Sequence, residues 1–286
     1  GDGDYRGEKA EKWKRIGRAV FGERPAQPVT MHMGGRHWVA DEFRDEKWYG
    51  FHGYQSGHGD TEATWRWTVE GPPGRSWQKT PVHPSINLEP NYEAHNGGGS
   101  RKPFDAHAVR RAAYWSLLVT PPAGVSYGAH GIWSWQREAG EPLNHKGTGI
   151  AAPWHEAMNL PGSLHMKHLR ALFESVEWWR LRPAQELLVE QPGKTDARRF
   201  VAIAKSNDGK LALAYLPEGG TIALRLETFN RIIAARWVNP RGGGWQRAKH
   251  VRIGASDAPL TFAAPDTNDW VLWVNFKERR RRYQGG

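Results

Sequence analysis

Up to about residue 180 the chain alternates between stretches with apolar residues at helical spacing and short apolar runs that stop on small or polar residues. Over Glu8–Phe21, Trp13, Ile16, Val20 and Phe21 follow a 3.6-residue period, which predicts a helix. Pro25 and Pro28 interrupt it, and Val29-Thr30-Met31-His32-Met33 then reads as a strand that stops at Gly34-Gly35. A second strand-like run, Phe51 to His58, precedes a helix expected from Thr61 to Val69. A third, Pro81 to Leu88, ends on Glu89. The spacing of Val109, Ala112, Ala113, Trp115 and Leu118 predicts an amphipathic helix over 106–119. Val125 to Trp135 completes a fourth strand, and a last helix is expected over 163–179.

Strands alternating with helices argue for parallel βα units. A complete (β/α)8 barrel needs eight strands and about 250 residues, so this pattern has room for half of one. After Pro183 the pattern becomes short alternating runs: Phe200–Lys205, Leu211–Leu216, Thr221–Leu226, Ala234–Val238, Leu260–Ala263 and Trp270–Phe276. Turn residues separate them, and Asp208-Gly209 is a strong hairpin signal. The expected fold is therefore α/β followed by all-β: the C-terminal half of a TIM barrel over 1–190, then a small antiparallel β-sandwich over 191–278. A basic tail, 279–286, carries Arg279 to Arg282 and reads as a solvated terminus.

Composition changes this picture in three ways. The chain of 286 residues is 38% hydrophobic, enough for a globular core, and its 16 Trp far exceed ordinary usage. Indole faces stack on the apolar faces of sugars, so the excess favours carbohydrate handling over a nucleotide site. The net charge of +10 draws the protein toward anionic partners: acidic polysaccharide, nucleic acid or a membrane surface. The absence of Cys excludes disulfides and thiolate chemistry. No stretch reads as a membrane span or a signal peptide, and the opening Gly1-Asp2-Gly3-Asp4, without Met, reads as an interior start.

The candidate chemistry begins at Asn87-Leu88-Glu89-Pro90-Asn91-Tyr92-Glu93, where an apolar run gives way to irregular backbone. In a (β/α)8 barrel the C-terminal ends of strands carry the catalytic groups, which makes Glu89 the first candidate.

Several segments together resemble apiosidase-like glycoside hydrolases: Gly1-Asp2 before a helix, Thr30-Met31-His32, Gln55-Ser56-Gly57-His58, Asn87 to Glu93, Val109 to Trp115, and Tyr127-Gly128-Ala129-His130-Gly131-Ile132-Trp133, in that order. Trp237 to Gly243 and Asp269 to Leu272 resemble the small β-domain of collagen-binding type that follows the barrel in those enzymes. The resemblance implies a chain that begins at the end of the barrel's fourth strand, lacks the first half, and comes from a secreted or periplasmic enzyme. It also implies a catalytic carboxylate pair, Asp2 and Glu89, with Asp4 as the rival of Asp2.

Glycoside cleavage needs one protonated and one ionised carboxyl. Glu89, flanked by Leu88 and Pro90, is the one expected to be raised by desolvation and to act as the acid. His32, Gln55, His58, Asn87 and Tyr92 lie at or near predicted strand ends, as do Glu93, Tyr127, His130, Trp133 and Trp135; they are the expected lining of a sugar pocket. His, Gln and Asn bond paired hydroxyls, while Tyr and Trp present stacking faces. Because Trp133 and Trp135 alternate along the predicted strand, one of them is expected to face the helices. His52 and His58 match no usual zinc spacing, so neither a metal nor a cofactor is expected.

The function these residues point to is hydrolysis of a plant or microbial polysaccharide, such as a pectic side chain. The alternative is a non-catalytic glycan- or matrix-binding module built on a barrel remnant. The expected partner is an oligo- or polysaccharide, acidic in keeping with the charge, with no nucleic acid and no membrane span.

Overall fold

The computed structural model describes residues 3–225, 232–252 and 258–276. It forms two compact units, Gly1–Lys167 and His168–Gly286.

The first unit is built on parallel strand contacts taken in chain order. Gly3 bridges Met33, and Val29 bridges Tyr49, both parallel. Helix α1, Glu8–Phe21, lies between the first two segments; Glu8 and Glu11 in its first turn and Arg18 in its last complement the helix dipole. It buries the small residues Ala10 and Gly17, while Trp13, Val20 and Phe21 stay 37–66% exposed, so its packed face is narrower than the apolar spacing implied. After the short helix α2, Ala40–Phe43, come β1, His52–Tyr54, and the helices α3, Glu62–Glu70, and α4, Pro72–Ser76.

Strand β2, Ser85–Asn87, is central. It pairs parallel with β1 through His52↔Ser85, Gly53↔Ile86 and Tyr54↔Asn87. Helix α5, Ala106–Leu118, leads to β3, Gly124–Val125, which pairs parallel with β2 on its other side. The first part of the expected third strand lies outside β2, because Pro81 and Pro84 have no N–H to give a ladder.

Two expectations are corrected here. Helix α5 is amphipathic by spacing, yet every residue from Ala108 to Leu118 is buried. Its polar positions are absorbed internally: the Arg111 guanidinium lies over the rings of Trp65 and Trp115 at 5.2 and 5.1 Å, and Arg110 reaches His165 Nδ1 at 2.8 Å. The fourth strand also ends early. Beyond Val125 only the Glu93–Ala129 bridge continues it, and Gly131–Trp135 is a run of turns with Ile132 N–H donating to Ala129 O and Trp135 N–H to Ile132 O. Trp133 and Trp135 therefore do not alternate on a strand. Helices α6, Trp154–Ala157, and α7, Pro161–Glu174, follow.

In the second unit, β4, Leu181–Pro183, opens a six-stranded antiparallel sheet. The remaining strands are β5, Ala202–Ser206; β6, Leu211–Leu216; β7, Thr221–Leu224; β8, Ile232–Val238; β9, Trp245–Arg247; β10, His250–Arg252; β11, Leu260–Ala263; and β12, Trp270–Phe276. The large sheet runs β4-β5-β6-β12-β8-β9 and the smaller β10-β11-β7. Asp208-Gly209 makes the β5–β6 turn, with Gly209 at φ 71. Alternate residues of both sheets meet in one core: Ile203, Ala214, Leu216, Trp237, Leu272 and Val274 from the larger, Ile222, Leu224, Leu260 and Phe262 from the smaller. That inter-sheet burial defines a sandwich. Of the expected third run, Arg225 does not extend β7; Leu226 and the basic tail lie outside the described residues.

Candidate active site

Glu89 follows β2 by two residues, and the neighbouring strands fix its backbone. Leu88 N–H donates to Tyr54 O at 2.8 Å, Gly57 N–H to Glu89 O at 3.0 Å, and Ser126 N–H to Asn87 O at 3.0 Å. Asn87 is fully buried, and its amide is consumed within the protein: Nδ2 donates to the hydroxyls of Ser56 and Ser116 at 2.9 Å, while Oδ1 accepts from the Ser56 and Glu89 N–H groups. It holds the strand end in place instead of facing a ligand.

The Glu89 side chain is 17% exposed and carries an imidazole on each oxygen: His58 Nε2 at 3.0 Å from Oε1 and His32 Nε2 at 3.3 Å from Oε2. An ionised carboxylate only accepts, so each Nε2 is the protonated nitrogen facing it. Burial alone pushes the Glu89 carboxyl up. The hydrogen bond and charge of His58, the charge of His32 and a hydrogen bond from Gln55 outweigh it, and the carboxyl is held below its ordinary value. This reverses the expectation that desolvation would make Glu89 the proton donor: the flanking Leu88 and Pro90 pointed to burial but not to two imidazoles.

The ring of Tyr92 lies 4.4 Å from that of His58. His95, which the strand-end reasoning passed over, also packs on His58, at 4.5 Å, and meets Tyr92 edge-on at 6.5 Å. Burial, then the nearby charge of His58, pulls the His95 imidazole down to about 4, so it is neutral near pH 7. The signal for it was its place in the same post-strand loop as Tyr92, three residues on. Gln55 is 6% exposed, and its Oε1 and His58 Nδ1 are buried without a protein partner. Glu89, His32, Gln55, His58 and Tyr92 are thus brought together.

The remaining expected residues are, but for one, buried or half-buried, and His95 joins them to this group, its ring 5.2 Å from that of His130. Glu93, 3% exposed, accepts from Tyr127 OH at 2.7 Å and from Gly162 N–H, in the first turn of α7, at 2.9 Å. That hydroxyl is pushed upward by burial and by Glu93. His130 is fully buried with Nε2 at 3.0 Å from Gly149 O, and the Trp133 ring packs on it at 5.9 Å. Trp135 is the exception. It is 62% exposed, has φ 49, and stacks on Trp154 at 5.1 Å with the rings 3° from parallel, leaving an indole face open to solvent.

Asp2 lies outside the described residues. Asp4 is held by Arg6 in a bidentate pair, 2.7 and 2.6 Å, and that hydrogen bond lowers its carboxyl to about 2. A group ionised so far below neutral cannot hold a proton for a leaving group, so Asp4 does not fit the acid's role. Among the described residues no cluster of His, Asp and Glu has metal-binding geometry.

The family model described as "Apiosidase-like, catalytic domain" matches residues 1–180. The chain belongs to the apiosidase-like family. A second family model, "Putative collagen-binding domain of a collagenase", matches 182–275 of this apiosidase-like chain. A protein of solved structure titled glycoside hydrolase is 26% identical, with TM-score 0.76, over 96% of the chain and 63% of that protein. A glycoside hydrolase family 5 protein from Bacteroides vulgatus is 25% identical, with TM-score 0.78, over 96% of the chain and 61% of its own. The chain therefore spans about three fifths of the length of these structures. No curated protein sequence matches it.

Proposed function

We propose that the protein is a glycoside hydrolase in which Glu89 is the ionised carboxylate, acting at the anomeric carbon or on the water that attacks it. The observation that carries this reading is the Glu89 carboxyl at a strand end, gripped by His58 and His32 and held below its ordinary value. A carboxylate kept charged while largely out of water is matched to an oxocarbenium-like transition state.

The second carboxyl is assigned to Asp2. It directly precedes Gly3, which bridges Met33, the residue after His32. With Glu89 ionised, Asp2 takes the part of proton donor to the leaving oxygen. The succession of parallel contacts from Gly3 through β3 supports the C-terminal half of a (β/α)8 barrel as the scaffold, followed by the sandwich. The substrate is a plant or microbial polysaccharide, pectic side chains included, with the open face of Trp135 offering a sugar ring a stacking surface. An extracellular location follows from such a substrate; no helix among the described residues is long and apolar enough to cross a membrane.

Hydrolysis of a panel of aryl glycosides and pectic oligosaccharides tests the assignment. Glu89→Gln is expected to lose about 10³-fold or more in kcat with little change in binding. The anomeric configuration of the first-formed product separates the two mechanisms: retention if Glu89 is the nucleophile, inversion if it activates the attacking water. Full activity in Glu89→Gln would sink the proposal.

A further inference from the structure

The larger sheet of the second unit carries a groove of about 680 Å³ outlined by β8, β9 and the start of β10. Its cationic lining is Arg236, Arg247 and Lys249, with the His250 ring beside them, and no acidic residue lines it among the described residues. Arg236 and Arg247 are direct cross-strand partners. Like charges facing each other across an antiparallel ladder destabilise it, and neither guanidinium has an acidic partner among the described residues. Cations on a sheet's outer strand often serve only to block pairing with another chain. That accounts for Arg247 on β9, but Arg236 sits on β8, which is paired on both sides.

Aromatic surface accompanies the charge. Trp245, in register with Val238, is 41% exposed and meets Trp273 edge-on at 5.9 Å. Trp273 is the β12 partner of Arg236, so two indoles and two guanidiniums share one face of three adjacent strands. Guanidinium forks match carboxylates bidentately, and an exposed indole covers the apolar face of a sugar ring.

We propose that this groove binds an anionic polysaccharide, one whose sugars carry uronate carboxylates. Only the choice of polysaccharide over another polyanion rests on the glycoside hydrolase reading; the preference for anions rests on the groove itself. The test is titration of the full chain with polygalacturonate, with dextran as neutral control and double-stranded DNA as a polyanion without uronates.

Binding to polygalacturonate and not to dextran is expected, with affinity falling about tenfold or more between about 50 and 200 mM salt. Arg236→Ser/Arg247→Ser should weaken it about tenfold, Arg236→Lys/Arg247→Lys should weaken it less because the charge stays while the bidentate fork is lost, and Trp245→Ala should weaken it a few-fold. Both arginines are exposed, so the folded state tolerates these changes. Glu89→Gln should bind like the parent, which separates this proposal from the catalytic one: loss of hydrolysis with binding intact touches only the active site. Unchanged affinity in Arg236→Ser/Arg247→Ser, equal binding of dextran, or tighter binding of DNA at matched charge would overturn the proposal.

Discussion

Two opposing effects meet at Glu89. Burial favours the neutral acid, while two imidazoles and an amide favour the anion, and the anion wins. If His58 supplies the largest part of that preference, removing it should let burial reassert itself. His58→Ala is therefore expected to move the acid limb of the kcat/KM profile to higher pH, because the essential carboxylate then gains its proton sooner as pH falls. The kcat loss should be smaller than in Glu89→Gln. An acid limb that stays in place would show that some other group controls it. At this scale the sequence was only half legible. A carboxyl at the end of an apolar run is readable, as are His32 and His58 at the ends of neighbouring runs. Their convergence on opposite oxygens of one carboxylate depends on side-chain direction, which no linear pattern carries, and so the sign of the Glu89 shift was misjudged. Asn87 was misplaced for a related reason: an amide is equally suited to a sugar hydroxyl and to a buried brace between Ser56 and Ser116.

Elements were most legible where period and burial coincide. Helix α1 and strands β6, β11 and β12 fall where their patterns put them, the last three because alternating or continuous apolar residues fill a core between two sheets. Strands β9 and β10 were missed: Trp-Gln-Arg and His-Val-Arg offer no apolar alternation, and each strand is an outer member of its sheet. Glu93 shows how one side chain ties elements together. Its carboxylate joins Tyr127 to the first turn of α7, and the missing side chain of Gly162 is what permits the approach. Both of its bonds come from donors, so an amide would turn an NH2 toward one of them. Glu93→Gln is expected to lower stability by about 1–3 kcal/mol, the range for a buried polar group left without its partner. Chemical denaturation measures this directly, and an unchanged midpoint would mean that Glu93 does not anchor the helix.

The buried histidines give the whole molecule a distinctive acid response. Burial first, then the nearby cation of Arg44, pulls His52 down to about 3, burial and His58 pull His95 to about 4, and burial lowers His130. Unfolded, each titrates near 6.5. Below that pH the unfolded chain takes up protons that the folded chain refuses, so stability present at neutral pH drains away as pH falls toward the folded values. Each histidine contributes a slope of up to about 1.4 kcal/mol per pH unit. The carboxyls held below their ordinary values, Asp41, Asp60, Glu89, Asp208 and Asp266 among them, act later. Their unfolded forms gain protons only near pH 4, so the interval from about 6.5 to 4.5 belongs to the histidines. All three lie in the first compact unit. Hydrogen exchange, corrected for the pH dependence of intrinsic rates, should therefore show protection falling across β1, β2 and α5 in that interval while β6 and β12 keep theirs. Equal loss in both units would mean that these imidazoles do not govern acid stability; protection that holds in β2 down to pH 4.5 would mean that they accept protons in the folded state.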